Sequence, residues 1–336
     1  MRTGKLPPEL LTRLLRDLPR DERLLVRPGL GRDAAAVAAG DHVLILTADP
    51  VTFTAERAGW YAVHLSANDV ACLGGEPRWF LATVIAPPDT DEAALAEVVA
   101  DISAACIEVG AVPAGGHTEV SEAVAQIVVA GAMVGETTRE RLFPSEAACT
   151  GDALLQVGPI AVEGTALLAR EAAPRLAAAG VPRASIVAAA ALLFDPGISV
   201  LPMARALWRL PGLRALHDPT EGGLASGAWE LAAAAGLGVI VERAALLIHP
   251  LTREVSAALR LDPAGLLASG SLLASVDAAQ AGAALAQLRA AGFAARRIGR
   301  VGSPDGGAIL VEEDGTTAPL PRFDRDEVAR LLADRR

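Results

Sequence analysis

The sequence predicts an α/β protein of two domains. Three observations carry this reading. Strand-like and helix-like stretches alternate along all 336 residues, as in sheets covered by helices. That length is enough for two domains with a core each. Hydrophobic residues make up 52% of the chain, but aromatics only 3%, so the cores must be built from Ala, Val, Leu and Ile.

In order along the chain, Gly4 to Leu18 reads as a short amphipathic helix behind Pro7-Pro8, followed by a glycine-rich loop, Pro28 to Val37. Gly40-Asp41 turns the chain into a buried strand, Val43 to Thr47, which ends at Ala48-Asp49-Pro50. A largely apolar helix around His64 stops at Gly74-Gly75 and leads to a strand, Trp79 to Ala86. Asp89 to Val109 is the clearest helix. Asp89 and Glu92 form its capping pair, and Leu95, Val98, Val99, Ile102, Cys106 and Val109 form its apolar face. Ala114 to Glu119 reads as a tight loop and Ala125 to Val134 as a long strand.

The polar, turn-rich stretch Thr137 to Asp152 marks the domain boundary. It predicts domains at 1–148 and 149–315, with a helical tail at 316–336. The second half is read as a strand at Ala153 to Val157, then helices at Ala161 to Ala179, at Arg183 to Phe194 and behind Pro202. A strand at Arg214 to His217 feeds Asp218-Pro219-Thr220-Glu221-Gly222-Gly223, which opens a helix from Leu224 to Ala235. Strands follow at Val239 to Glu242, at Ser271 to Val276, and around Ile298 and Ile309. Helices follow Pro250 and span Asp277 to Ala291.

Composition excludes several classes of function. The net charge of −10 comes without a basic stripe, so no nucleic-acid partner is expected. Lys5 is the only lysine, against 29 arginines, which excludes an ordinary P-loop. No apolar run is long enough to span a bilayer and no signal peptide is visible, so a cytoplasmic protein with no membrane partner is expected. Cys72, Cys106 and Cys149 are far apart and form no CxxC, which argues against zinc and disulfides.

The candidate chemistry is carried by acids. Asp33 lies in the glycine-rich loop, Asp49 at the end of a buried strand, and Asp69, next to Asn68, in the apolar helix. Each could be an ordinary turn or core residue. Gathered together, they would repel one another unless a cation lay between them, and Mg²⁺ bridging nucleotide phosphates is the economical solution. Gly115-Gly116 could let a backbone approach a phosphate, with Thr118 as a hydroxyl donor and His117 as a ligand or general base. The Asp218 to Gly223 segment could present free amide N–H groups at a helix start.

Five motifs then carry a resemblance. Gly31-Arg32-Asp33-Ala34-Ala35, Thr47-Ala48-Asp49, Ala67 to Pro77, Gly115-Gly116-His117-Thr118 and Asp218 to Ala225 occur in order over roughly residues 30 to 310. This pattern resembles the family of aminoimidazole-ribotide (AIR) synthetase, thiamine-monophosphate kinase, selenophosphate synthetase and the hydrogenase-maturation protein HypE, and it is most similar to HypE. The resemblance implies a two-domain AIR-synthase-like fold and a homodimer whose N-terminal mixed sheets build a barrel-like interface. It also implies ATP bound with Mg²⁺. By the match, Asp33, Asp49 and Asp69 hold metal. Asn68, Gly115, Gly116 and Thr118 support the nucleotide, and Asp218, Thr220, Gly222 and Gly223 border it. Asp69 and His117 are the candidate catalytic residues.

The implied activity is ATP-dependent activation of a carbonyl or amide oxygen by phosphoryl transfer, on a small-molecule or protein-borne acceptor. The alternatives are a small-molecule kinase of the thiamine-monophosphate type and a non-catalytic assembly partner. The chain departs from the family's pattern in three places. Arg32 and His117 stand where the kinase has carboxylates, and the end, Ala333-Asp334-Arg335-Arg336, has no carrier cysteine of the HypE kind. The carbamoyl reaction is therefore not expected to carry over.

Overall fold

The computed structural model describes residues 4–54, 56–323 and 325–333. The chain's last three residues, part of the end that reads without a carrier cysteine, lie outside them. The chain divides into two compact units. One comprises 19–28 and 33–142. The other comprises the segment up to Leu18, 29–32 and Phe143 onward.

The first of these units is built on a six-stranded mixed sheet in the order β1-β2-β3-β6-β4-β5. Its strands are β1 (Leu24–Val26), β2 (Ala35–Ala39), β3 (His42–Val51), β4 (Glu76–Ala86), β5 (Val112–Val120) and β6 (Val128–Thr137). All neighbours are antiparallel except β4 and β5, which run parallel and need the long crossover that a helix supplies. Following α1 (Pro8–Leu15) of the other unit, the helices here are α2 (Ala58–Cys72) and α3 (Glu92–Val109). α2 buries Trp60, Val63, Ala67, Asn68, Val70 and Cys72, so it is apolar nearly all round, as a helix packed on several sides must be.

The second unit holds a seven-stranded sheet, β13-β12-β9-β11-β7-β10-β8. Its elements in chain order are β7 (Ala153–Val157), α4 (Val162–Glu171), α5 (Ala173–Ala178), α6 (Arg183–Ala191), α7 (Leu201–Leu207), β8 (Leu213–His217), α8 (Gly223–Ala234), β9 (Val239–Glu242), α9 (Pro250–Leu259), β10 (Leu272–Val276), α10 (Ala281–Ala290), β11 (Ala295–Val301), β12 (Ala308–Val311), β13 (Thr317–Pro319) and α11 (Glu327–Ala333). β7 and β10 are fully buried along their length, the mark of central strands covered on both faces.

Several expectations are corrected. Residues 114–119 form no loop: they belong to strand β5, at the sheet edge, where every residue is exposed. Gly116 has φ +151°, and a Cβ there would lie 2.0 Å from the Ala82 carbonyl oxygen, so the glycine serves strand pairing and not a turn. The cap of α3 is Asp91, whose side chain accepts the Ala94 N–H at 2.8 Å; Val99 on that helix is 61% exposed. The helix expected at 161–179 breaks into two, because Pro174 starts a new first turn. The tail begins with strand β13 before α11. The segment up to Leu18 and residues 29–32 group with the later unit.

Candidate functional site

In the sheet unit of β1 to β6, Thr47 and Asp49 are two residues apart on β3, so their side chains share a face. Asp69 comes from α2, which packs on β3, and Asp33 from the loop before β2. They meet at one hydroxyl. Thr47 Oγ1 lies 2.6 Å from Asp69 Oδ2, 3.1 Å from Asp49 Oδ2 and 3.3 Å from the Asp33 carbonyl oxygen. Thr47 is 9% exposed, Asp33 and Asp69 are half-buried and Asp49 is exposed. Asn68, adjacent to Asp69, is fully buried.

A hydroxyl has one proton to donate. The three oxygens around it make an oxygen donor set of the kind that suits a hard cation such as Mg²⁺. Thr47 is the residue that sequence reasoning missed as a site member. The signal was its two-residue spacing from Asp49 on a strand.

The glycine-strand residues are not brought to this junction. Asp49 pairs with Gly131, Gly131 with Ala82, and Ala82 with Gly116, which spans three strand spacings, about 14 Å along the sheet. Gly115, His117 and Thr118 lie on the same edge strand, and His117 Nε2 sits 3.3 Å from Glu119 Oε2, both side chains at least half exposed.

In the other unit, Asp218 follows β8 and is buried, while Thr220 is half-buried. Gly222 caps α8 at φ +79°, and Gly223, at φ +67°, lies so close to the chain that a Cβ would be 2.3 Å from the Ala264 carbonyl oxygen. The expected free N–H groups are partly taken. The Gly222 N–H donates to Asp326 Oδ2 at 3.0 Å, and the Gly223 N–H to the Thr220 carbonyl at 3.1 Å. Asp326 comes from the tail and carries no sequence signal that points to this loop.

A cavity of about 640 Å³ opens in this unit against Gly222, Trp229, Glu230, Phe323 and Asp326. That volume falls in the range of small-molecule sites. Burial alone would raise the Glu230 carboxyl. His217 at 3.3 Å and Lys5 at 3.4 Å overcome it and hold that carboxyl down at about 2.

Two family models match the chain: "AIR synthase related protein, N-terminal domain" over residues 31–137, and "AIR synthase related protein, C-terminal domain" over 150–312. Carbamoyl dehydratase HypE of Cupriavidus necator is 30% identical over 284 residues, 82% of this chain and 78% of that protein. Among solved structures, the hydrogenase maturation protein HypE in complex with ATP superposes with a TM-score of 0.66 at 23% identity, covering 95% of this chain and 91% of that one. AaThiL, complexed with AMPPCP and TMP, superposes at 0.71 with 20% identity, covering 94% of each chain. These two likenesses are of fold.

Proposed function

The chain belongs to the AIR-synthase-related family, on its HypE-like branch, and from that premise we propose that it binds ATP with Mg²⁺ and uses it to activate a carbonyl or amide oxygen by phosphoryl transfer. The observation that carries this reading is the Thr47 junction, where Asp49, Asp69 and the Asp33 carbonyl converge on one hydroxyl. Asp33, Asp49 and Asp69 are the proposed metal ligands. Thr47 holds the two carboxylates in register, and buried Asn68 steadies the helix position beside Asp69. Bound Mg²⁺ would offset charge on the phosphates and on the transferring group. The ATP and AMPPCP held by the two structural relatives support the choice of ligand.

The loop from Asp218 to Gly223, beside the cavity of its own unit, is read as a second ligand-contacting element through Thr220, Gly222 and Gly223. Gly115, Gly116 and Thr118 are assigned to the nucleotide, and His117 to catalysis, from the family pattern. We also assign strand β5 to a homodimer interface. It is an exposed edge with Val112 60% and Val120 58% exposed, and such edges are normally paired or covered. Light scattering at twice the 34.4 kDa chain mass tests this assignment.

The test of function is titration with ATP in the presence and absence of Mg²⁺, followed by an ADP-release assay with candidate acceptors. Mg²⁺-dependent binding with turnover supports the proposal. Binding without turnover across amide and carbonyl acceptors favours an assembly role, and phosphate transfer onto thiamine monophosphate favours the kinase reading that the AaThiL-like fold keeps open.

A further inference from the structure

Glu163, on the first turn of α4, is a buried acid that the proposed reaction does not use: it is 1% exposed. Its Oε2 accepts the Ser269 amide N–H at 3.3 Å, and Oε1 accepts no hydrogen bond among the described residues. Asp326, 7% exposed, comes from the tail and holds the glycine loop itself. It accepts the Gly222 N–H at 3.0 Å and the Val328 N–H at 2.8 Å. The stretch that Glu163 holds, Leu266 to Ser269, is joined to the glycine loop twice. The Ala268 N–H donates to the Thr220 carbonyl at 3.3 Å, and Gly223 fits against the Ala264 and Leu266 carbonyls with no room for a side chain.

We infer that Glu163 is a positioning residue for the Asp218–Gly223 loop, acting through the Leu266–Ser269 segment it holds, while Asp326 holds Gly222 of the same loop directly. The inference rests on the reading of that loop as a ligand-contacting element.

The charge states follow from burial. Desolvation pushes the Glu163 carboxyl up to about 8, against the Ser269 contacts that lower it, and the neighbouring Asp326 and Asp218 raise it further. Desolvation also raises Asp326, to about 6, against the amide N–H groups of Val328, Gly222 and Leu267 that lower it, with Glu221 raising it again. Between about 6 and 8, Asp326 is ionised and accepts its amides while Glu163 keeps its proton. Above that window both carry charge and repel. Below it Asp326 also gains a proton, which burial favours, and the repulsion is gone. The native state binds a proton at Glu163 that the unfolded state has released above about 4.5, so this acid's contribution to stability falls as pH rises from 4.5 to about 8.

Native-state amide exchange of Gly222 and Leu267, measured from pH 5 to 9.5 and corrected for intrinsic rates, tests the clasp. The expected profile is a fall with rising pH, with protection highest near pH 5 and about tenfold lower once pH passes through about 8, then level to pH 9.5. Glu163→Gln, which keeps the shape without the charge, should abolish the alkaline fall. Asp326→Ala should leave Gly222 weakly protected at every pH. A wild-type profile flat to pH 9.5 overturns the inference, with or without a folded Gln variant. So does an alkaline fall that persists in that variant. No nucleotide is present in this measurement. Failure of ATP binding would therefore remove the proposed function, and a flat exchange profile would remove the clasp.

Discussion

The two units gather carboxylates in opposite ways. At Thr47 in the six-stranded unit, Asp49 and Asp69 face a single hydroxyl and Asp49 is exposed. At Gly222 in the seven-stranded unit, Asp326 is buried and accepts two backbone N–H groups, while burial pushes the Glu163 carboxyl up to about 8. The difference teaches that an acidic side chain does not announce its task. A carboxylate at an accessible junction of oxygens can take a cation. A carboxyl group closed over by amides fixes the chain.

Substitutions can break this contrast in order of expected effect. The largest concerns backbone that only glycine can supply. Gly223→Ala would push a Cβ to 2.3 Å from the Ala264 carbonyl at φ +67°, and should cost about 3 kcal/mol in urea denaturation. A loss below about 1 kcal/mol would mean that the loop is not held where it lies. Asp326→Ala leaves the buried Gly222 and Val328 N–H groups without their acceptor, and should lower stability by about 1–2 kcal/mol, read as a fall in Tm.

In the other unit, Thr47→Val removes the hydroxyl and keeps the strand. It should leave Tm nearly unchanged while weakening Mg²⁺-dependent ATP binding by about five- to tenfold, about 1 kcal/mol. Equal losses of stability and affinity would make the junction structural. The smallest effect is expected at His117, exposed on β5 and about 14 Å along the sheet from Asp49. His117→Ala should change ATP affinity less than about twofold, below about 0.4 kcal/mol, since His117 is assigned to catalysis and not to nucleotide binding. A larger loss there would mean that His117 reaches the nucleotide by another route.

Much of this was legible in the sequence where the signal is local. The alternation of strands and helices follows from hydrophobic period. The stop of α2 is legible because Gly74, at φ +86°, does what a helix-ending glycine does. Asp33, Asp49 and Asp69 could be grouped, since strand ends and adjacent loops collect ligand groups in α/β proteins. Strand β5 was not legible. A Gly-Gly pair ordinarily reads as a turn, and only the approach of the Ala82 carbonyl explains why the glycine sits within a strand. Val99 was read as core because helical spacing marks a stripe but not its width. Asp326 lies 104 residues from Gly222, and Glu163 lies 106 from Ser269. No periodicity reports contacts across such separations.

The central claim is that the Thr47 junction holds the metal of a metal–nucleotide complex. Calorimetric titration of ATP into the wild type and into Asp69→Asn, each with and without Mg²⁺, tests it most directly. The account predicts Mg²⁺-dependent binding in the wild type and at least about a hundredfold weakening, about 2.7 kcal/mol, in the variant at unchanged Tm. Equal affinity in the two proteins, or wild-type binding indifferent to Mg²⁺, would contradict it.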